Sequence, residues 1–378
     1  MTEPPVWARL DPGRLATLLL ESVRAYSPSY GEGPATQVFA AQLEGAGLVV
    51  ERQPVPSPSG AAPRANLLVR LGPQPPAMLW IGHVDTVEAE HAFPTPRLEG
   101  DRLYGLGAAD MKGGCAAMVE AVIALAECGV PLARGLCLGL VVGEEEYGDG
   151  ALALSQQVRA PLVLDGEPTG LQPCICHHGY LECQLTAQGS RAHAAVPEAG
   201  ANAIHTMLSW LVAILDQFLA PELAQEVAAN PRAIQGGGPM FMVPASCQAT
   251  LDVHWRPALD SNRVLEAIER ARLAAMAGHP HCGLTSVVSF ASEGYQNPAD
   301  AALLEPFWRA CRLAGLAGTP ASFRSHSDAP LFQRQGSVAV VCGPGRLELA
   351  HSAEEHVSMA QVQAAARFYA ALASEVLT

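Results

Sequence analysis

Residues 136–150, LCLGLVVGEEEYGDG, run from a continuous apolar segment into three adjacent glutamates. Continuous rather than alternating hydrophobicity predicts a strand that is covered on both faces, as in a sheet between two layers of helices. Similar apolar runs, each bounded by turn residues, occur at residues 66–71, 78–81, 161–164 and 338–341. A helical pattern at residues 114–126 separates two of these runs. The sequence therefore predicts an α/β fold with a mostly parallel sheet between helices.

Residues 179–292 show a different order of elements from the segments on either side. The patterns predict strands and helices at residues 180–187 (strand), 201–218 (helix), 233–243 and 246–255 (strands), 261–277 (helix) and 284–290 (strand). This order is typical of a small α+β domain. We therefore predict a main domain in two parts, residues 1–178 and 293–378, that is interrupted by an inserted α+β domain at residues 179–292.

The charge and composition exclude several classes of protein. The 378 residues carry a formal net charge of −14, which argues against a nucleic-acid partner because phosphate binding needs clustered lysine and arginine. We find neither a convincing signal peptide nor an apolar stretch of membrane-spanning length. The ten cysteines are scattered, often within apolar runs, which favours reduced and buried thiols. We expect a cytoplasmic protein without membrane contact.

The three adjacent glutamates belong to a larger set of candidate metal ligands, which follow the predicted strands except for Asp110, in a glycine-rich turn ahead of a helix. In chain order these residues are His83, Asp85, Asp110, Glu144, Glu145, Glu146, Asp165, Glu167 and His351. Adjacent carboxylates repel one another when they are buried, unless a cation lies among them. Each residue alone is more typical of a turn or a solvated loop. Because ligands bind outside the carboxyl ends of parallel strands, their recurrence at four strand ends indicates a divalent metal such as Zn²⁺.

Six motifs that follow one another along the chain carry a resemblance to a known family. They are GHVDTV, GLGAADMKGG, EEEYG, DGEPT, SRAHAAVPEAGANAI and CGPGRLELAHSAEEHV. With them, the chain resembles the acetylornithine deacetylase, succinyl-diaminopimelate desuccinylase and glutamate carboxypeptidase family of metal-dependent amidohydrolases over nearly its whole length. The resemblance implies that the main domain is catalytic and that the inserted domain is a dimerisation (lid) domain of a homodimer.

The same resemblance implies a site for two divalent ions. Asp110 would bridge the ions, His83 and Glu167 would bind one of them, and Glu146 and His351 would bind the other. Zn²⁺ is the first candidate, with Co²⁺ or Mn²⁺ as alternatives. Two ions at about 3.5–4 Å can hold and acidify a water molecule and polarise the scissile carbonyl.

The resemblance also divides the glutamates into roles. In the family a Glu-Glu pair lies two residues before a glycine, and Gly148 then selects Glu145 as the general base and Glu146 as the metal ligand. Glu144 is expected to be exposed or to lie behind the ligands. The residues alone do not distinguish Glu144 from Glu145 as the base.

Three further expectations follow from the family motifs. Asp85 would accept a hydrogen bond from the second ring nitrogen of His83 and so fix its tautomer. The Asp110–Met111 peptide is a candidate for a cis bond. His193 would reach the active site of the partner subunit and donate a hydrogen bond to the developing oxyanion.

Two positions depart from the family pattern where relatives contact substrate. Phe241 and His254 stand where relatives often carry asparagine and arginine, so the metal site is expected to be intact while the specificity pocket is altered. Arg256 and Arg324 are candidate replacements that would bind a substrate carboxylate.

The sequence therefore predicts a metal-dependent hydrolase that cleaves the amide bond of an N-acylated amino acid or a similar small molecule, as acetylornithine deacetylase does. One alternative is a metallo-carboxypeptidase or dipeptidase that releases a C-terminal amino acid. Another is a non-catalytic binding protein of the same fold.

Overall fold

The computed structural model describes residues 5–57, 62–89 and 93–378, and the chain divides into two compact units. The first unit comprises Met1–Ile175, Asn297–Phe323 and Ser327–Thr378. The second comprises Cys176–Gln296 and Arg324–His326. The short segment 324–326 thus clusters with the inserted unit, although we assigned it from sequence to the main domain.

Helices and strands alternate along much of the described chain. The helices are α1 (Pro12–Arg24), α2 (Gly33–Gly45), α3 (Gly113–Cys128), α4 (Asp149–Gln157), α5 (Ala203–Leu219), α6 (Ser261–Gly278), α7 (Glu305–Ala314), α8 (Ala329–Gln333) and α9 (Met359–Leu377). The strands are β1 (Glu51–Val55), β2 (Arg64–Leu71), β3 (Pro76–His83), β4 (Arg97–Glu99), β5 (Arg102–Tyr104), β6 (Gly135–Val141), β7 (Leu162–Pro168), β8 (Cys174–His177), β9 (Gly179–Gln188), β10 (Val227–Gly236), β11 (Ser246–Trp255), β12 (Gly283–Ser292), β13 (Tyr295–Gln296), β14 (Ala321–Phe323), β15 (Val338–Gly343) and β16 (His356–Ser358). None of these helices is both long and apolar enough to cross a membrane.

The central sheet of the first unit confirms the predicted α/β class. Six of the nine strands of this sheet lie in the order β1–β2–β6–β3–β7–β15. β3 pairs in parallel with both β6 and β7, and β15 pairs in parallel with β7, whereas β1 and β2 form an antiparallel edge. Every residue of β6 and β7 is buried, as the continuous apolar runs predicted.

The register of the parallel strands brings the predicted ligands to one edge of this sheet. His83, at the end of β3, lies opposite Val141, at the end of β6. Ile81 lies opposite Asp165 of β7, two residues before Glu167. The carboxyl ends of these three strands are therefore neighbours, and the segments that follow them begin from the same place.

The turn that carries Asp110 is fixed to the first helix by a buried lysine. The Asp110–Met111 peptide is cis, as the family resemblance implied. Lys112 is fully buried, and its Nζ donates hydrogen bonds to the carbonyl oxygens of Ser22 at 2.9 Å and Ala25 at 3.1 Å. These carbonyls lie at the C-terminal end of α1, where helix carbonyls lack partners within the helix. The only lysine of the chain thus caps α1 and anchors the turn.

The second unit is a four-stranded antiparallel sheet, in the order β10–β11–β9–β12, whose core includes α5 and α6. Trp210 of α5 and Trp255 of β11 are among its fully buried side chains. The predicted strand at residues 233–243 is largely wrong, because β10 ends at Gly236. Two further glycines and Pro239 follow, and they disfavour continued strand pairing.

A close approach between α3 and β7 generates a prediction about stability. A Cβ atom added to Gly114 of α3 would lie 2.2 Å from the carbonyl oxygen of Gly166, beside Glu167. We expect Gly114→Ala to lower the free energy of unfolding by about 1–3 kcal/mol, because the helix must move away from the strand. Urea denaturation followed by circular dichroism measures this change.

Gly45→Ala is the matched control for this substitution. A Cβ atom at Gly45, the last residue of α2, meets nothing within 4 Å. We expect the control to change stability by less than about 1 kcal/mol, since alanine favours helix and restricts the unfolded chain. Equal denaturation midpoints for the two variants would contradict the close contact.

Candidate metal centre

The first half of the candidate metal centre is built around His83. Its Nε2 lies 3.1 Å from Oδ1 of Asp110 and 3.4 Å from Oε1 of Glu167. The same nitrogen lies 3.9 Å from Oε2 of Glu144. In the group formed by His83, Glu144 and Glu167, the three ligand atoms all lie within 4.8 Å of one another. These atoms are close enough to bind one metal ion together.

The second half of the centre is built around His351. Its Nε2 lies 3.4 Å from Oδ2 of Asp110 and 3.1 Å from Oε1 of Glu145. Asp110 therefore directs one carboxylate oxygen to each histidine, Oδ1 to His83 and Oδ2 to His351. This is the arrangement that a carboxylate bridging two ions requires.

The electrostatics of this cluster fit a cation. Burial raises the pKa values of Glu144 and Glu167 well above the ordinary range, and the charge of Asp110 raises that of Glu167 further. Burial also acts to raise the pKa of Asp110, but hydrogen bonds from His351 and His83 hold it below its ordinary value. A divalent ion would favour the ionised form of each carboxylate. Carboxylate oxygens with imidazole nitrogens are a donor set that Zn²⁺, Mn²⁺ and related ions accept.

The three adjacent glutamates have different surroundings from those that the spacing to Gly148 predicted. Glu144, expected to be exposed or behind the ligands, is buried with only 8% of its surface accessible, and it faces His83. Glu145, predicted as the base, lies against His351, whereas Glu146, predicted as a ligand, is exposed and belongs to neither group of candidate ligands. The amide of Gly148 donates to the carbonyl of Gly143, so this glycine closes the turn. Which glutamates face the two histidines therefore depends on where β6 ends, and not on their spacing to Gly148.

The carboxylate of Asp85 holds this glutamate turn. It accepts hydrogen bonds from the backbone amides of Glu144 at 3.3 Å and Glu145 at 3.0 Å, and from the Ser29 hydroxyl at 2.8 Å. We predicted that this carboxylate would pair with the ring of His83. The nearest acceptor of His83 Nδ1 is instead the backbone carbonyl of Asp85 at 3.0 Å, and the carboxylate lies at 3.6 Å. Asp85 thus orients both the imidazole and the glutamates.

Sequence analysis missed the role of Glu355, which it quoted only within a longer motif. Glu355 is fully buried, and its Oε1 accepts hydrogen bonds from the backbone amides of Ala109 at 3.1 Å and Asp110 at 3.3 Å. The sequence did contain one indication, because Glu354 and Glu355 follow closely after the predicted ligand His351. Nothing in the sequence indicated which distant turn the second glutamate would contact.

The remaining predicted site residues lie in the second unit. His193 is exposed, and its Nδ1 accepts a hydrogen bond from the amide of Ala195 at 3.1 Å. Its ring lies parallel to that of Phe241, with 6.2 Å between centroids. Arg256 lies 3.6 Å from Glu226, and Arg324 is exposed without an ion pair to any described residue. These three side chains therefore belong to a different unit from the ligand cluster.

The two positions that depart from the family pattern differ in their surroundings. Phe241 is 66% exposed and adopts a left-handed backbone conformation with φ 65°. The ring of His254 contacts that of Tyr180, with 4.8 Å between centroids and 36° between the ring planes, and burial lowers the pKa of His254 to about 4. The imidazole of His254 is therefore neutral near pH 7, at a position for which the family resemblance implies an arginine.

Comparison with known proteins extends over most of the chain. The model of the peptidase family M20/M25/M40 matches residues 79–375. Acetylornithine deacetylase of Myxococcus xanthus is 30% identical over 346 residues, which are 86% of this chain and 87% of that protein. Succinyl-diaminopimelate desuccinylase of Gluconobacter oxydans is 32% identical over 268 residues, 65% of this chain and 68% of that protein. These matches confirm the family that the six motifs predicted.

Solved structures of low sequence identity share the fold. A tripeptidase from Staphylococcus aureus superposes with a TM-score of 0.79 at 18% identity, over 97% of this chain and 99% of that one. The dipeptidase Dug1p of Saccharomyces cerevisiae gives a TM-score of 0.78 at 14% identity, over 98% of each chain. The chain therefore belongs to peptidase family M20/M25/M40.

Proposed function

We propose that this member of the hydrolase family cleaves the amide bond of an N-acylated amino acid, in the manner of acetylornithine deacetylase. The observation that carries the proposal is the position of Asp110 between two histidines, each with its own glutamate. His83 has Glu167 as its neighbour, and His351 has Glu145. Acetylornithine deacetylases recur among the relatives that match most of the chain, which supports the deacylase assignment.

The ligand assignment follows from these distances. Asp110 would be shared by two divalent ions, with His83 and Glu167 holding one and His351 and Glu145 the other. When bound, the ions would acidify a water molecule and polarise the substrate carbonyl. We propose Zn²⁺ first, with Co²⁺ or Mn²⁺ as alternatives, because imidazole accompanies the carboxylates at both positions.

Glu144 is the proposed general base in place of Glu145. Its carboxyl group is buried beside His83, and burial raises its pKa well above the ordinary range. Glu144 would take a proton from the attacking water and deliver it to the leaving nitrogen. Asp85 would keep the glutamate in reach, because it holds the backbone of the same turn.

His193 is the proposed hydrogen-bond donor to the oxyanion, supplied by the second subunit of a homodimer. Since its Nδ1 accepts a backbone hydrogen bond, the neutral ring carries its proton on Nε2. This tautomer is suited to donate to a negatively charged oxygen. Exposed apolar side chains on α5, among them Val212 and Leu219, support an assembly through the second unit.

Recognition of the rest of the substrate is assigned to arginines of the second unit. Arg324 is the stronger candidate for a substrate carboxylate, since it makes no ion pair with the described residues. Arg256 already faces Glu226. All ten cysteines are free, and most are buried, which supports a reducing, cytoplasmic location.

Substitution of the three adjacent glutamates tests the proposed roles. We expect Glu144→Gln to lower kcat by about 10²–10⁴-fold, because it removes the base while the metal ligands remain. Glu145→Gln should reduce bound metal as well as activity, since it removes a ligand. Metal content is measured by plasma mass spectrometry, and kcat by release of free amine.

Glu146→Gln is the control within the same turn and should keep both kcat and metal content close to the parent protein. A large loss of metal in Glu146→Gln, together with normal activity in Glu144→Gln, would reject this assignment. It would instead support Glu145 as the base and Glu146 as the metal ligand.

A substrate panel tests the reaction class. The Zn²⁺- or Co²⁺-loaded protein should release amine from N-acetyl, N-succinyl or N-carbamoyl amino acids with higher kcat/KM than from dipeptides, and a chelator should abolish the activity. A preference for dipeptides would favour the peptidase alternative. Metal binding without turnover of any panel member would favour a non-catalytic protein.

A further inference from the structure

Glu355 connects two segments of the candidate centre that are far apart in sequence. Its side-chain Oε1 accepts hydrogen bonds from the amides of Ala109 and Asp110, which lie 246 and 245 residues earlier in the chain. Its backbone carbonyl accepts a third hydrogen bond, from the amide of Gly105 at 3.1 Å. One buried residue therefore holds the segment 105–110 at three points.

The turn around Asp110 needs such a partner because its backbone is not helical. Asp110 has φ −120° and ψ 98°, Met111 has φ −126° and ψ 33°, and α3 begins only at Gly113. The amides of Ala109 and Asp110 lie in a buried segment. A buried amide without an acceptor costs about 1–3 kcal/mol. The Glu355 carboxyl group satisfies both amides at once.

The same residue is tied to the turn that carries His351. The amide of Glu355 donates to the carbonyl of Ser352 at 3.1 Å, and the Ser352 hydroxyl donates to the carbonyl of Leu349 at 2.8 Å. His351 has φ 56°, a left-handed conformation that a non-glycine residue adopts only when its surroundings fix it. Glu355 thus contacts the Asp110 turn with its side chain and the His351 turn with its backbone.

The His83 side of the centre is held by other means. His83 is the last residue of β3, and Glu167 belongs to the neighbouring strand β7. His83 pairs with Val141 of β6, and the parallel pairing of β3 with β7 reaches Asp165, two residues before Glu167; none of these pairings involves Glu355. A change at residue 355 should therefore affect one half of the centre more than the other.

We propose that Glu355 is a positioning residue that sets the distance between Asp110 and His351 and so creates the second metal position. The inference rests on the proposed function, because it requires a site for two ions. It assigns Glu355 no contact with metal or substrate. Its effect passes through the backbone of Asp110.

Three substitutions of Glu355 distinguish a positioning role from a contribution to stability alone. Glu355→Ala removes the shared acceptor, and Glu355→Asp retains a carboxylate on a side chain one methylene too short to keep both hydrogen bonds. Glu355→Gln keeps an acceptor oxygen at the same reach. Glu354→Ala is the control, because Glu354 is the exposed neighbour of the same chemical type.

Co²⁺ titration of each full-length protein, followed by visible absorption and by metal content after dialysis, is the test. The parent protein, Glu355→Gln and Glu354→Ala should bind two ions with the same spectrum. Glu355→Ala and Glu355→Asp should retain one ion with little change and bind the second about 10–100-fold more weakly. If Glu355→Ala does not fold, as judged by circular dichroism, Glu355→Asp decides.

The outcomes distinguish the two proposals. Two ions bound by Glu355→Asp with parental affinities and spectrum would overturn the positioning role, as would equal weakening of both ions. A parent protein that binds fewer than two ions would overturn the two-metal site itself and, with it, the role of Glu355. Weakening in Glu355→Gln as large as in Glu355→Asp would show that hydrogen-bond acceptance is not what the residue supplies.

Discussion

The mutual repulsion of buried carboxylates at one edge of a parallel sheet is the constraint that organises the first unit. Glu144, Glu167 and Asp110 lie around His83 with little access to water. Such a cluster is unfavourable unless its charges are offset. The carboxylates stay together despite this repulsion because the backbone around each of them is fixed by separate contacts. Asp85 holds the glutamate turn, Glu355 holds the Asp110 turn, and Glu167 belongs to β7, which pairs with β3.

The parts of this arrangement that depend on local pattern could be predicted from the sequence. Continuous apolar runs identified the buried strands, and His83 and Glu167 fall at strand ends, where the parallel ladder leaves little freedom. The helix α1 begins at Pro12 directly after Asp11, whose side chain accepts hydrogen bonds from the amides of Gly13 and Arg14 as an N-cap. In these cases a short stretch of sequence fixes its own geometry.

Local spacing is less informative for residues whose positions are set by long-range contacts. A register counted from Gly148 selected Glu145 and Glu146, but the turn is fixed from the other side by Asp85, about sixty residues away. The role of Glu355 depends on contacts across more than two hundred residues. The contacts of Asp85 and Glu355 cannot be predicted from sequence spacing, because the local sequence does not show which buried backbone amides lack an acceptor.

The two halves of the centre therefore differ in how they are supported, although their donor sets are alike. His83 and Glu167 extend from adjacent strands, and a shift of either would disturb the ladder between them. His351 and Glu145 lie in turns, and this half relies on backbone amides that donate to carboxylates: the amide of Glu145 to Asp85 and that of Asp110 to Glu355. A turn that is held by a few hydrogen bonds opens locally at a lower free-energy cost than a buried sheet does. We therefore expect substitutions remote from the metal ligands to affect the His351 half of the centre before they affect the His83 half.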